Sequence, residues 1–125
     1  MSKSAQDFLS EANSMVPSIA VAEALSLINS GKAVVIDVRD GKEIDQSGTV
    51  KNALRIPRGM IEFVADPTTS FYNDQISNDK EILVICGAGG MAALTGKTLM
   101  EMGYTNVHNI GGFSAWKDAG GPTED

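Results

Sequence analysis

The chain of 125 residues has a single cysteine, Cys86, and its neighbours give that cysteine a chemical setting. Residues 81–85 (EILVI) form a short apolar run, and Cys86 closes it. Gly87, Ala88, Gly89, Gly90 and Met91 follow, and a helical pattern begins at Gly90. A helix N-terminus presents backbone N–H groups that have no partner inside the helix. The three glycines let the chain curl so that these N–H groups converge. The expected result is an anion cradle with a sulfur at its centre. A helix N-terminus stabilises a nearby anion by about 0.3–1 kcal/mol, and by up to ~2 kcal/mol in favourable geometry. Such a cradle favours the thiolate, which is the nucleophilic form, and it needs no histidine base to do so. The competing reading makes Cys86 a small buried hydrophobe at a strand end. The glycine-rich loop and the helix behind it favour the functional thiol.

Other chemistries fit the residues less well. Gly87-x-Gly89-x-x-Ala92 matches a dinucleotide-binding fingerprint, but the next predicted strand ends Asn109-Ile110-Gly111 with no acidic residue there. Too little chain remains for the rest of a nucleotide fold, so no nicotinamide or flavin is expected, and no other cofactor. His108 is the only histidine. It falls inside the strand pattern 106–110 rather than in the loop after it, so a Cys–His pair is not predicted. One histidine and one cysteine give no metal-site spacing. Arg58 directly follows Pro57 at the end of another strand pattern, 53–57, and is a candidate anion-binding residue at the same edge of the sheet. Glu62, one helical turn later, is placed to hold it.

The elements that must position these residues are legible from periodicity. Residues 33–38 (AVVIDV) and 81–85 read as strands buried on both faces, the signature of a parallel sheet covered by helices. Residues 53–57 and 106–110 read as shorter strands, and Ser18 and Ile19 as the start of another. Helices are predicted over 20–30, 90–102 and 113–119. In the second of these, Ala92, Thr95, Leu99 and Met102 form a stripe that Met91 and Leu94 widen. Residues 64–79 read as a polar loop with at most a short helix. Residues 1–17 form an N-terminal helical extension, with Phe8, Leu9, Ala12 and Met15 at helical spacing, and residues 18–125 form one α/β domain. The helix of the extension packs on the body or on a partner, and the sequence does not choose between them.

Composition narrows the setting. Ten basic against sixteen acidic side chains give a net charge of −6, which argues against nucleic acid as a partner. A lone cysteine rules out an intrachain disulfide. The polar start of the chain is not a signal peptide, and no apolar run approaches the roughly 20 residues that span a bilayer. A reducing cytoplasm is expected, with no membrane partner.

Four segments, in order, resemble the rhodanese (thiosulfate sulfurtransferase) family in its single-domain form. VVIDVRDGKE (34–43) is similar to the family's strand and turn, and QSGTVKNALRIP (46–57) to the segment after it. ILVICGAGGMAA (82–93) resembles the active-site loop and helix, and GYTNVHNIGGFSAWKDAGGP (103–122) resembles the closing strand and helix. The resemblance implies an α/β fold with a central parallel five-stranded sheet flanked by helices on both faces. It also implies persulfide chemistry. Cys86 would take a sulfane sulfur from thiosulfate or a persulfide donor and pass it to a thiol or cyanide, with a protein as a further kind of donor or acceptor. The backbone N–H groups of Gly87, Ala88, Gly89, Gly90 and Met91 would bind the substrate. Asp37 and Arg39 match the family's Asp-x-Arg and are read as structural support, with Glu43 as a partner for Arg39. Thr49 stands where the family often has histidine, so no histidine role transfers there. Gly111, Gly112 and Trp116 match the last turn and helix, as packing residues. One departure stands out: the family's loop commonly reads C-x-x-G-x-R, and Met91 holds the arginine position. The resulting expectation is a weaker thiosulfate activity, and the alternative reading is a binding or regulatory module that works without turnover or only with a protein partner.

Overall fold

Residues 2–125 are described by a computed structural model. Along the chain lie α1 (Ala5–Met15), α2 (Val21–Asn29), β1 (Ala33–Asp37), α3 (Gly41–Ser47), β2 (Thr49–Val50), β3 (Leu54–Arg55), α4 (Ile61–Val64), β4 (Glu81–Cys86), α5 (Gly90–Glu101), β5 (Val107–Gly112), α6 (Phe113–Asp118) and β6 (Thr123–Glu124). A short 3-10 turn, Arg58–Met60, precedes α4. The central sheet is parallel and four-stranded, in the order β3-β1-β4-β5. β2 and β6 form a separate antiparallel pair.

Alternation along β1 and β4 explains the two helical layers. Val34, Ile36, Ile82, Val84 and Cys86 face one side, packed with Ala92 and Leu99 of α5, Ile61 of α4 and Val16 at the end of α1. Val35, Leu83 and Ile85 face the other side, against Ala24 of α2 and Phe113 and Trp116 of α6. A strand buried on both faces carries no polar alternation, and that is why these two runs are so uniformly apolar.

The expected fifth strand is reduced to one bridge. Ser18 pairs in parallel with Asn109, and the ladder goes no further. Pro17 has no N–H to extend it on one side, and α2 starts at Val21 on the other. Met91 also departs from expectation: it is 40% exposed and does not belong to the buried stripe of α5, which is Ala92, Ala93, Thr95, Gly96 and Leu99. Two helices and one pairing went unpredicted. α3 begins at Asp40, whose carboxylate accepts the Lys42 N–H at 2.8 Å. α4 packs beside α5 and buries Ile61 in the core on that side of the sheet. The β2–β6 pair is fastened by Trp116, whose Nε1–H donates to Pro122 O at 3.0 Å. Residues 66–80 form turns, held by the buried Ile76 and by Tyr104, whose hydroxyl donates to Ala65 O.

α1 packs on the body, along α5. A capping box starts it: Ser4 Oγ accepts the Asp7 N–H, and Asp7 Oδ2 accepts the Ser4 N–H. Ala12 is fully buried, whereas Phe8 and Met15 stay largely exposed. Among the described residues no helix is long and apolar enough to cross a membrane.

Candidate active site

β4 delivers Cys86 to the carboxyl edge of the sheet, on the face covered by α5. The thiol is 2% exposed. Its Sγ accepts two backbone N–H bonds, from Gly89 at 3.0 Å and from Ala92 at 3.3 Å. Gly89 is the N-cap of α5, and Ala92 lies in its first turn, so both donors belong to the set that a helix leaves unpaired. Gly89 takes φ +99°, a left-handed conformation that suits glycine and turns its N–H onto the sulfur. Ala92 falls one residue beyond the stretch read as the cradle; its position in the first helical turn is the signal that would have found it.

The loop is braced from β5. Between Val84 and Cys86 the register slips, so that Cys86 pairs with Gly112 rather than Gly111. This irregularity brings the end of β5 under the loop. A side chain on Gly112 would begin 2.5 Å from Gly87 O, so only glycine fits there. Asn109, 6% exposed, donates from Nδ2 to Gly89 O at 3.0 Å and accepts the Gly111 N–H at 2.7 Å. Asn109 carried no signal in the sequence, because an asparagine in a strand pattern reads as ordinary.

Beside the loop, Asp37 and Arg39 form a buried pair. Arg39 Nη2 lies 2.8 Å from Asp37 Oδ2, and Nε donates to both carboxylate oxygens. The hydrogen-bonded Asp37 carboxylate holds the Arg39 guanidinium above its ordinary value. Nη1 donates to Ser47 Oγ and Nη2 also donates to Gly48 O, and the guanidinium lies over the Phe113 ring at 4.6 Å. Thr49 Oγ1 donates to Asp37 Oδ2 at 2.7 Å, which makes it a buried member of this network. Glu43 is a lesser partner: it is 3.7 Å from Arg39 and half exposed. Its carboxylate instead borders the loop, 3.5 Å from where a side chain on Gly87 would begin.

A hollow of about 560 Å³ opens at this edge, lined by Val38, Asp40, Glu43, Pro57, Arg58 and Met91 among others. Arg58 and Met91 thus stand together there. Arg58 Nη1 pairs with Glu62 Oε1 at 3.2 Å, and Nη2 donates to Thr98 Oγ1 at 3.0 Å. No residue from Cys86 to Met91 is charged, so Arg58 is the one cation lining the hollow, against the carboxylates of Asp40 and Glu43. His108 lies at the opposite end of the sheet, with Nε2 3.0 Å from Glu81. Among the described residues no cluster of metal-ligating side chains occurs.

A family model described as rhodanese-like domain matches residues 20–119. The chain belongs to that family. This rhodanese-like domain is 30% identical over 112 residues to the thiosulfate sulfurtransferase GlpE of Coxiella burnetii, covering 89% of this chain and 95% of that protein. It is 34% identical over 91 residues to the adenylyltransferase and sulfurtransferase UBA4 of Candida albicans, and there it covers 72% of this chain but only 20% of the longer protein. Among solved structures, a protein of unknown function from Rhodopseudomonas palustris, described as a possible tyrosine phosphatase, superposes with a TM-score of 0.90 at 37% identity, covering 99% of this chain and 96% of that one. In this rhodanese-like domain α1 lies outside the matched region, and Cys86, Arg58 and Met91 lie inside it.

Proposed function

We propose that the protein is a sulfurtransferase that carries a sulfane sulfur on Cys86. The observation that carries this reading is the Cys86 Sγ held by two backbone N–H donors at the carboxyl edge of the sheet, in a loop whose Met91 lines a hollow. With thiosulfate, the Cys86 thiolate attacks the outer sulfur, the S–S bond of the donor breaks, and sulfite leaves with the bonding pair. The product is a Cys86 persulfide. Cyanide or a thiolate then attacks the outer sulfur of the persulfide and restores the thiolate. The N–H donors that face the thiolate carry no charge of their own and serve it before and after transfer equally well. Family membership and the sulfurtransferase names of relatives support the reading.

Thiosulfate itself is expected to be a poor donor. A dianion entering the hollow loses water while facing two carboxylates and one arginine that is already paired. The same observation favours a second reading, in which the domain receives its sulfur only from a protein partner or acts as a binding module. A phosphatase reading is not favoured: it calls for an arginine closing the loop to clamp phosphate, and Met91 and Ala92 stand there instead.

Intact-protein mass after incubation with a sulfane donor tests the proposal. The expected result is a gain of one sulfur, removed by reductant and absent from Cys86→Ser. No gain with any small-molecule donor would leave only the partner-dependent or binding reading.

A further inference from the structure

Two glycines beside the sulfur are left-handed: Gly89 in the loop, at φ +99°, and Gly111 near the end of β5, at φ +89°. They are packed together, with Gly111 Cα 3.5 Å from where a side chain on Gly89 would begin. One amide group serves both. Asn109 Nδ2 donates to Gly89 O at 3.0 Å, and Asn109 Oδ1 accepts the Gly111 N–H at 2.7 Å. The two partners fix which end of the amide is which, since the flipped group would set oxygen against oxygen. Gly89 O also accepts the Ala93 N–H at 3.0 Å. With its N–H on Cys86 Sγ and its carbonyl held from two sides, Gly89 is fixed at both ends. The main chain of Asn109 is held as well: its N–H donates to Pro17 O at 2.8 Å and its carbonyl accepts the Ile19 N–H at 3.2 Å. Pro17 and Ile19 both precede the family match, so the segment between α1 and α2 anchors the residue that anchors the loop.

We propose that Asn109 is a positioning residue for Cys86, and that through Gly89 it governs how readily the thiol ionises. The inference rests on the sulfur-transfer reading above, in which the thiolate is the attacking group. The Asn109 amide acts through Gly89 rather than on the sulfur. Releasing the Gly89 carbonyl frees a residue that has no side chain to restrict it, and its N–H, one of the two on Sγ, loses its direction. Hydrogen bonds to the charged form are what favour that form, so a slackened N–H costs the thiolate more than the thiol. A primary amide both donates and accepts, and it brings no charge to the cradle. A carboxylate in its place would still accept the Gly111 N–H, but it would turn an oxygen on Gly89 O and add a negative charge near an anion.

The test is the rate of alkylation of Cys86, the sole thiol, by iodoacetamide, followed by intact mass against pH. In Asn109→Ala the rate near neutral pH should fall by about ten-fold, the effect of weakening one hydrogen bond to a charged group. The profile should move to the alkaline side, and the rates should converge at about pH 10, where a free thiol is ionised in any case. Asn109→Asp keeps the shape of the side chain and the bond to Gly111, so it serves where Asn109→Ala does not fold, and its loss should be the larger. Ile110→Val is the control: it trims a buried neighbour in β5, which should lower the melting temperature and leave the profile in place. An unmoved profile in the Asn109 variants overturns the proposal, as does an equal shift in Ile110→Val. A loss by the same factor at every pH also overturns it, because that reports access rather than ionisation. If neither Asn109 variant folds, the residue is structural and the proposal falls. No sulfur donor enters these measurements. If the unsubstituted protein gains no sulfur from any donor while the profiles shift as expected, the transfer reading fails and Asn109 keeps its hold on the thiol.

Discussion

β1 and β4 lie side by side and end at one edge of the sheet, with Asp37 paired in register to Ile85, one residue before Cys86. The turns that follow them are built on opposite plans. After β1 the polarity is in side chains and is buried: Asp37 and Arg39 are 0% and 3% exposed. Each guanidinium nitrogen of Arg39 donates to a protein acceptor in Asp37, Ser47 or Gly48, and Nη1 also lies 3.7 Å from Glu43. After β4 the polarity is in the backbone, no side chain is charged, and the donors point at a sulfur. An ion pair bonded within the fold on most of its donors fixes geometry and has little left to offer a ligand. N–H groups fixed by a helix and by β5 meet a charge that comes and goes without rearranging. Arg39 is thus a buried arginine whose hydrogen bonds stay within the fold.

Substitutions that exchange the two plans sharpen this contrast. The largest effect is expected from Asp37→Ala, which leaves Arg39 buried without its carboxylate and should cost about 3–5 kcal/mol of stability in urea unfolding. A loss below about 1 kcal/mol would mean that Ser47 and Gly48 suffice to hold Arg39. Gly112→Ala comes next. Its methyl would meet Gly87 O, push the loop off β5 and lengthen the bonds to Sγ. Persulfide formation, followed by mass against time, should slow by roughly ten- to a hundred-fold, with a modest fall in melting temperature.

Met91→Arg brings a charge into the uncharged turn. It should raise thiosulfate kcat/KM by about ten-fold, since a charge-assisted hydrogen bond contributes roughly 1.5–3 kcal/mol before the cost of ordering the side chain. Because Met91 is 40% exposed, the melt should barely move. A well-folded variant with no gain would show that the turn binds its donor by another contact. Arg58→Ala gives the smallest change, a KM for thiosulfate about three-fold higher. Its partly exposed pair with Glu62 adds little stability, roughly 0–1 kcal/mol, so the melting temperature should hold. An unchanged KM would return Arg58 to the surface.

The loop and its strand were readable because local chemistry dictates them: a buried apolar run, then glycines, then a helix start. The helices over 20–30, 90–102 and 113–119 were readable for the same reason. What escaped depends on contacts distant in sequence. The bracing of Gly89 by Asn109 spans 20 residues, and Thr49 reaches Asp37 across 12. β2 and β6 are only two residues each, too short to show alternation, and their pairing joins positions far apart in the chain. α3 is short and polar, so its capping aspartate outweighs any periodic signal. The exposure of Met91 was hidden because a methionine next to a helical stripe reads as core, and only the placement of α1 and Arg58 gives it another surface to face.

Cys86 is also the sole thiol among these 125 residues. A sulfur loaded onto it has no second cysteine in the chain to which it can move, and no internal disulfide can form to expel it. On the proposed function, the loaded state would end when another molecule takes the sulfur, at a rate that rises with the concentration of that molecule. The same solitude governs damage. If the thiolate is oxidised to a sulfenic acid, no resolving cysteine stands by to capture it, and rescue falls to a thiol from outside before the irreversible steps follow.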